Sequence, residues 1–213
     1  MILDSIVGID EAGRGPIAGP VAVGAVSVRD DKVREFFDGF PLRDSKTLSE
    51  RQREKVFTRI EEAVREGLLT YTVTFTEARA IDLAGIVLSI EHALGRALEM
   101  LSVHRETTIL LDGGLSAPKR YTNQKSIIRG DSSECAIMLA AITAKVLRDR
   151  RMRGLHEKYP EYGFGKHKGY GTRAHYQALE QNGLCPEHRK SFLRNLETPT
   201  KSCRGLTLGS SQG

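Results

Sequence analysis

Four carboxylates stand where apolar runs of the sequence end. Asp10 and Glu11 close SIVGID and lead into AGRG. Asp112 closes TTILLD and precedes Gly113-Gly114, and Asp131 follows SIIRG. If these runs are strands of one open sheet, their ends on one edge line a common crevice. Carboxylates gathered there repel one another in a low-dielectric site, and cations offset that repulsion. An oxygen-only set suits hard ions such as Mg²⁺ or Mn²⁺, which keep several waters and bind phosphate oxygens. Two such ions roughly 4 Å apart activate a water and stabilise a leaving oxygen in an in-line phosphoryl displacement. Read locally, two of the four have plainer uses. Asp131 fits an N-cap, with Glu134 three residues on completing a capping box, and Asp112 fits a turn. Asp10-Glu11 has no obvious packing use.

The elements that must position these groups follow from periodicity. Residues 5–10 and 20–28 read as strands joined by the glycine-rich turn GRGPIAG. Ser49 and Gln52 form a capping-box pattern at the start of a helix that Gly67 stops. Leu69, Tyr71, Val73 and Phe75 alternate with threonines, the pattern of a half-buried strand. One long helix is expected from about residue 77 to 102, then short strands at 107–112 and 126–130. A helix over 132–153 follows. The glycine- and aromatic-rich YPEYGFGKHKGYGT reads as a loop, and RAHYQALEQN as a short helix ended by Gly183. The class is α/β with a mixed sheet. Residues 198–213 are polar and rich in glycine and serine, which predicts a flexible tail.

The chain has 213 residues, 39% hydrophobic and 28% charged, enough for one sizeable domain. No apolar run approaches the ~20 residues that span a bilayer, and the N-terminus lacks a secretory pattern, so the cytoplasm is the expected compartment. Cys135, Cys185 and Cys203 are odd in number and widely spaced, which argues against a disulfide framework or a zinc site. The net charge of +5 is unevenly spread: residues 145–190 hold eleven Lys/Arg against five Asp/Glu. That excess suggests a polyanion, nucleic acid first, with a solvated helix face as the plainer alternative.

The motifs GIDEAGRGPIAGPVAVGA, DSKTLS, LLDGG, RGDSSECAIMLAAITAKVLRD, YGFGKHKGYGT and PEHRKSF, in this order, resemble ribonuclease HII from about residue 5 to 193. The Gly-Arg-Gly form and the absence of an N-terminal extension favour ribonuclease HII over ribonuclease HIII. The resemblance implies a ribonuclease H-like fold over residues 1–197: a mixed five-stranded sheet flanked by helices, with a C-terminal helical extension. It implies cleavage of RNA in RNA/DNA hybrids and incision 5′ of single ribonucleotides in duplex DNA, by a monomer without membrane contact. The metal ligands it implies are Asp10, Glu11, Asp112 and Asp131, holding two Mg²⁺ or Mn²⁺ ions. It assigns Gly13, Arg14, Gly15 and Tyr170 to reading the ribonucleotide. Glycines let backbone approach a 2′-hydroxyl, the group that separates RNA from DNA. Ser45, Lys46, Lys145, Lys166 and Lys168 are candidate substrate contacts, and His167 is a further candidate near the site.

Two segments depart from the family pattern. Met138-Leu139-Ala140-Ala141 replaces a run of small residues ending in serine. Ala84-Gly85-Ile86 stands where Asn usually precedes Ile, and a glycine inside a helix costs about 1 kcal/mol relative to alanine. Two other readings compete. A catalytically silent binder on this fold would lack a carboxylate, and another metal nuclease of the superfamily would lack the Gly-Arg-Gly loop and Tyr170.

Overall fold

A computed structural model describes residues 5–29, 32–40, 42 and 45–194. The proposed tail at 198–213, Asp44 of the DSK motif and Cys203 lie outside the described residues. Five strands form one sheet: β1 (Ile6–Ala12), β2 (Val21–Val28), β3 (Leu69–Thr76), β4 (Thr108–Asp112) and β5 (Gln124–Ile127), in the order β3-β2-β1-β4-β5. The first three are antiparallel neighbours, while β4 runs parallel to β1 and β5 parallel to β4. The sheet is therefore mixed, with β1 at its centre.

Each face of the sheet takes its own helices. Helix α4 (Ile86–Met100) buries Ile90, Ala93, Leu94, Ala97 and Leu98, a single helical stripe, against Val7, Ile9, Val23 and Leu111. On the other face, α2 (Glu50–Arg65) and α6 (Cys135–Lys158) enclose Val26 and Leu69 with Phe57, Ile60, Leu139 and Ile142. The capping box of α2 forms as expected: Ser49 accepts from the Gln52 amide, and Gln52 accepts from the Ser49 amide. Helix α6 lies very close to β1. A Cβ on Gly8 would sit 2.1 Å from the Ala136 carbonyl carbon, so only glycine admits the helix at this depth.

Four expectations are corrected. The long helix is two, α3 (Ala78–Ala84) and α4, because Gly85 adopts φ 80° between them. The glycine ends one helix and starts the next, so the cost of a mid-helix glycine does not arise. Strand β5 stops at Ile127 because Arg129 enters the left-handed region, and α5 (Gly130–Ser133) follows at once. The long helix after it runs from Cys135 to Lys158. The segment read as a loop holds a 3-10 turn at Pro160–Tyr162 and a helical turn, α7 (Phe164–His167). Burial of Tyr162 and Phe164, whose rings stack at 5.4 Å, folds it onto α8 (Arg173–Asn182). A short helix α1 (Lys32–Phe36) had no clear sequence signal. Cys135 and Cys185 are free thiols. Among the described residues no helix is long and apolar enough to cross a membrane.

Candidate active site

Register builds the carboxylate centre. Ile9 pairs with Leu111 between the parallel strands β1 and β4, so the residues that follow, Asp10 and Asp112, are neighbours. Side chains alternate along a strand. Asp10 thus shares the α6 face with Gly8, and Asp112 shares it with Leu110. Asp131 arrives from α5, where its backbone N–H donates to Asp112 Oδ1 at 3.3 Å. Asp10, Asp112 and Asp131 each offer a carboxylate oxygen within 4.8 Å of the others.

Glu11 is not part of that trio. The alternation turns it to the opposite face, where its Oε1 lies 3.5 Å from the Arg14 guanidinium. Its backbone N–H donates to Asp10 Oδ1 at 2.7 Å. The cap reading of Asp131 is overturned: α6 begins after Glu134 with no side-chain cap bond, and Asp131 sits within α5. Its oxygens accept instead from Ser132 Oγ at 3.4 Å and from Lys46 Nζ at 3.3 Å.

The centre is electrostatically costly by itself. Burial, then the neighbouring charges of Glu11 and Asp112, hold the Asp10 carboxyl well above the usual carboxylate range. A divalent cation among three converging oxygens removes that cost, so the donor set fits a hard metal ion.

The other predicted residues divide into those at the centre and those used elsewhere. Lys46 reaches Asp131 across 85 positions of sequence. Buried Ser45 is fixed beside it, because Arg53 of α2 donates to the carbonyls of Ser45 and Leu48. Arg14, beside Glu11, and Gly15 are exposed, while Gly13 is buried. Tyr170 is 46% exposed. Lys166 is exposed. Lys145 is bound to both oxygens of buried Asp149, at 2.7 and 2.8 Å, and Lys168 turns inward onto the Gly165 carbonyl and Glu50. His167 donates to the Tyr162 carbonyl at 2.7 Å and stacks on His175 at 4.3 Å.

Part of the basic surplus of residues 145–190 is thus committed to partners within the molecule. Arg150 and Arg153 pair with Glu54, Arg151 with Glu77, and Arg148 and Arg189 are fully buried. Sequence reasoning gave these last two no role at the site. The signal available was an arginine on the apolar face of α6, and the PEHRKSF motif itself.

Fold and site together define a metal-dependent nuclease on a ribonuclease H-like sheet. The family profile described as Ribonuclease HII matches residues 7–195. The chain belongs to the ribonuclease HII family, and it is an enzyme. It is 43% identical over 190 residues to a ribonuclease HII of Ruminiclostridium cellulolyticum, covering 89% of this chain and 70% of that one. It resembles the crystal structure of ribonuclease H2 from Pyrococcus horikoshii OT3, with a TM-score of 0.65 and 25% identity, over 88% of this chain and 93% of that one. The ribonuclease HII in a complex with PCNA from Archaeoglobus fulgidus shares the fold, with a TM-score of 0.71 and 22% identity, over 93% of this chain and 98% of that one.

Proposed function

We propose that this enzyme cuts the RNA strand of RNA/DNA hybrids and incises duplex DNA on the 5′ side of a single embedded ribonucleotide, leaving 3′-hydroxyl and 5′-phosphate ends. It acts as a monomer in the cytoplasm. The observation that carries the reading is the trio Asp10, Asp112 and Asp131, with oxygens within 4.8 Å, its first member three residues before the Gly13-Arg14-Gly15 loop.

Asp10, Asp112 and Asp131 would hold two Mg²⁺ or Mn²⁺ ions together with Glu11, whose carboxylate would leave Arg14 to reach them. When bound, such ions supply an activated water and neutralise charge on the leaving oxygen. Gly13, Arg14 and Gly15 offer backbone groups to the 2′-hydroxyl. Half-exposed Tyr170 stacks on the neighbouring deoxyribose, where a second 2′-hydroxyl would clash. Lys46, beside Asp131, takes the phosphate next to the cut, with Ser45 as its companion. Lys166 is the remote phosphate contact. Lys145 and Lys168 already have carboxylate or carbonyl partners, so they serve better by fixing α6 and the tyrosine turn than by binding substrate.

The test is a duplex containing one ribonucleotide, incubated with Mg²⁺, Mn²⁺ or chelator, with the cut mapped to the nucleotide. One cut on the 5′ side, dependent on metal, is expected. A cut elsewhere, or cleavage in chelator, refutes the reading. Tyr170→Ala should harm this incision more than cleavage of long hybrids, and equal losses would remove Tyr170 from the reader.

A further inference from the structure

The motif PEHRKSF contributes no group to the metal centre, yet two of its residues are buried: His188 is 2% and Arg189 0% exposed. Both lie on an extended segment. Ala18 and His188 form an isolated antiparallel bridge, the Arg189 N–H donates to the Ile17 carbonyl, and the Gly19 N–H donates to the Glu187 carbonyl. Successive side chains on an extended segment point to opposite sides.

Arg189 points toward the loop after β1. Its guanidinium donates to three backbone carbonyls: Gly13 at 2.7 Å, Arg14 at 3.0 Å and Gly19 at 3.0 Å. Among the described residues it has no carboxylate within ion-pair distance. Its donors are spent on the shape of the loop. Arg148 lies beside it, donating to the carbonyls of Pro20 and Lys168. A Cβ on Gly13 would stand 1.9 Å from Arg148 Nε, so the first glycine of Gly-Arg-Gly is also a seat for this buried cation.

His188 points the other way. Its Nε2 is 3.1 Å from His175 Nε2, and His175 Nδ1 is 2.9 Å from the Tyr170 carbonyl. A carbonyl only accepts, so His175 Nδ1 carries a proton. Neutral His175 then has a bare Nε2, and His188 must donate to it. His188 Nδ1 is therefore bare and accepts the Cys185 N–H at 3.0 Å. One neutral tautomer of each ring satisfies these three contacts, and the 3.3 Å approach of His188 Nδ1 to the Cys185 carbonyl then carries no hydrogen bond. Burial holds both imidazoles at a pKa of about 4, so both are neutral at neutral pH.

We propose that the His188-Arg189 dipeptide is a two-sided clamp that sets the register between the Gly13-Arg14-Gly15 loop and Tyr170, and so sets selectivity for a lone ribonucleotide. This rests on the assignment of those residues as the ribonucleotide reader. The loop and Tyr170 are 155 residues apart in sequence. They meet through Gly169, whose carbonyl accepts from the Ile17 and Ala18 amides, and the clamp fixes each side of that junction from behind. His188 and Arg189 are positioning residues that touch no substrate.

The test compares full-length wild type with Arg189→Lys, His188→Ala and His188→Gln. Glutamine keeps a donor near the position of the imidazole Nε2, whereas alanine removes it. On a duplex with one ribonucleotide, Arg189→Lys and His188→Ala should lower kcat about 10²-fold, the scale of a 1 Å misplacement. The loss on a long hybrid should be at least ~10-fold smaller, and His188→Gln should recover most of the incision. Mn²⁺ affinity should stay at the wild-type value. Equal losses on both substrates, or His188→Gln as impaired as His188→Ala, overturn the clamp.

Hydrogen exchange supplies a readout apart from activity. Amides of residues 13–19 and 168–170 should exchange faster in His188→Ala and Arg189→Lys, with the central sheet unchanged. Wild-type exchange there overturns the clamp, whatever the substrate. A wild type that ignores the lone ribonucleotide refutes the proposed function, and the exchange result still decides the clamp. Should Arg189→Lys not fold, the two His188 variants carry the decision.

Discussion

The carboxylate centre and the loop that follows it begin three residues apart, yet they are held by opposite means. At the centre, like charges converge because sheet register forces them together. Asp10 is buried among Glu11, Asp112 and Asp131, and its carboxyl is pushed upward. At the loop, two buried cations are made tolerable by backbone carbonyls, five of them shared by Arg148 and Arg189. The first region is unfavourable until a cation arrives. The second is satisfied before any ligand is present. A cluster that could hold a metal ion needs unspent charge, whereas a loop proposed to read a sugar needs fixed geometry.

The largest effect should come from breaking the first region. Asp10→Asn is expected to lower cleavage of hybrid and single-ribonucleotide substrates alike by about 10³-fold or more, the scale of losing one member of a catalytic unit. In chelator the same variant should unfold at a higher denaturant midpoint than wild type, because it removes a buried, repelled charge. Steady-state rates and denaturation curves check both parts. Wild-type cleavage by this variant would remove Asp10 from the metal site.

Acid should separate the two regions by sign. Asp10 binds its proton more tightly in the folded state, so its contribution is full at low pH and lost as pH rises through its folded pKa. His175 and His188 behave in reverse. Their folded values of about 4 lie below the ordinary 6.5, so stability from these rings is full above 6.5 and falls as pH drops toward 4. The groups facing them are His167, stacked on His175, and Tyr162, Phe164 and Cys185. In chelator, hydrogen-exchange protection, corrected for the intrinsic rate at each pH, should fall between pH 7 and pH 5 in residues 160–189 and not in β1 and β4. His188→Gln should reduce this acid sensitivity. An unchanged pH profile in that variant would move the effect to other groups.

Smaller effects should come from the lysines. Lys46→Ala should cost roughly 10-fold in kcat/KM with little change in stability, since the Lys46 side chain is 73% exposed and solvent screens its pair with buried Asp131. Smallest is Lys166→Ala, expected to weaken binding a few-fold and reduce the salt dependence by about one counterion. Titrating hybrid binding against salt measures this. A slope unchanged in Lys166→Ala and lowered in Lys145→Ala would reverse their assignment.

Much of the molecule was legible before any coordinates. Alternation in LTYTVTFT fixed β3, and Ser49 with Gln52 fixed the start of α2, because these signals are local. The position of Asp112 at the end of β4 was likewise local, whereas β1 continues past Asp10 to Ala12. The single long helix expected over 77–102 failed because apolar spacing continues across Gly85, and only the positive φ there marks the break. The aromatic segment at 159–172 failed as a loop because its glycines read as flexibility, while packing of Tyr162 and Phe164 imposes order.

The sequence by itself determined the mixed α/β class, β2, β3 and β4, the start of α2 and the family. Tertiary structure decided three things: that Asp10, Asp112 and Asp131 bring carboxylate oxygens within 4.8 Å of one another, that Asp131 is held by Asp112 and Lys46 instead of capping a helix, and that Arg148 and Arg189 are buried. Each depends on which backbone lies opposite which, over separations of 19 to 176 residues. A carbonyl left over by one loop and a guanidinium supplied by a distant helix or turn have no common pattern in the chain. They become partners only when the sheet register and the packing of α6 bring them within reach.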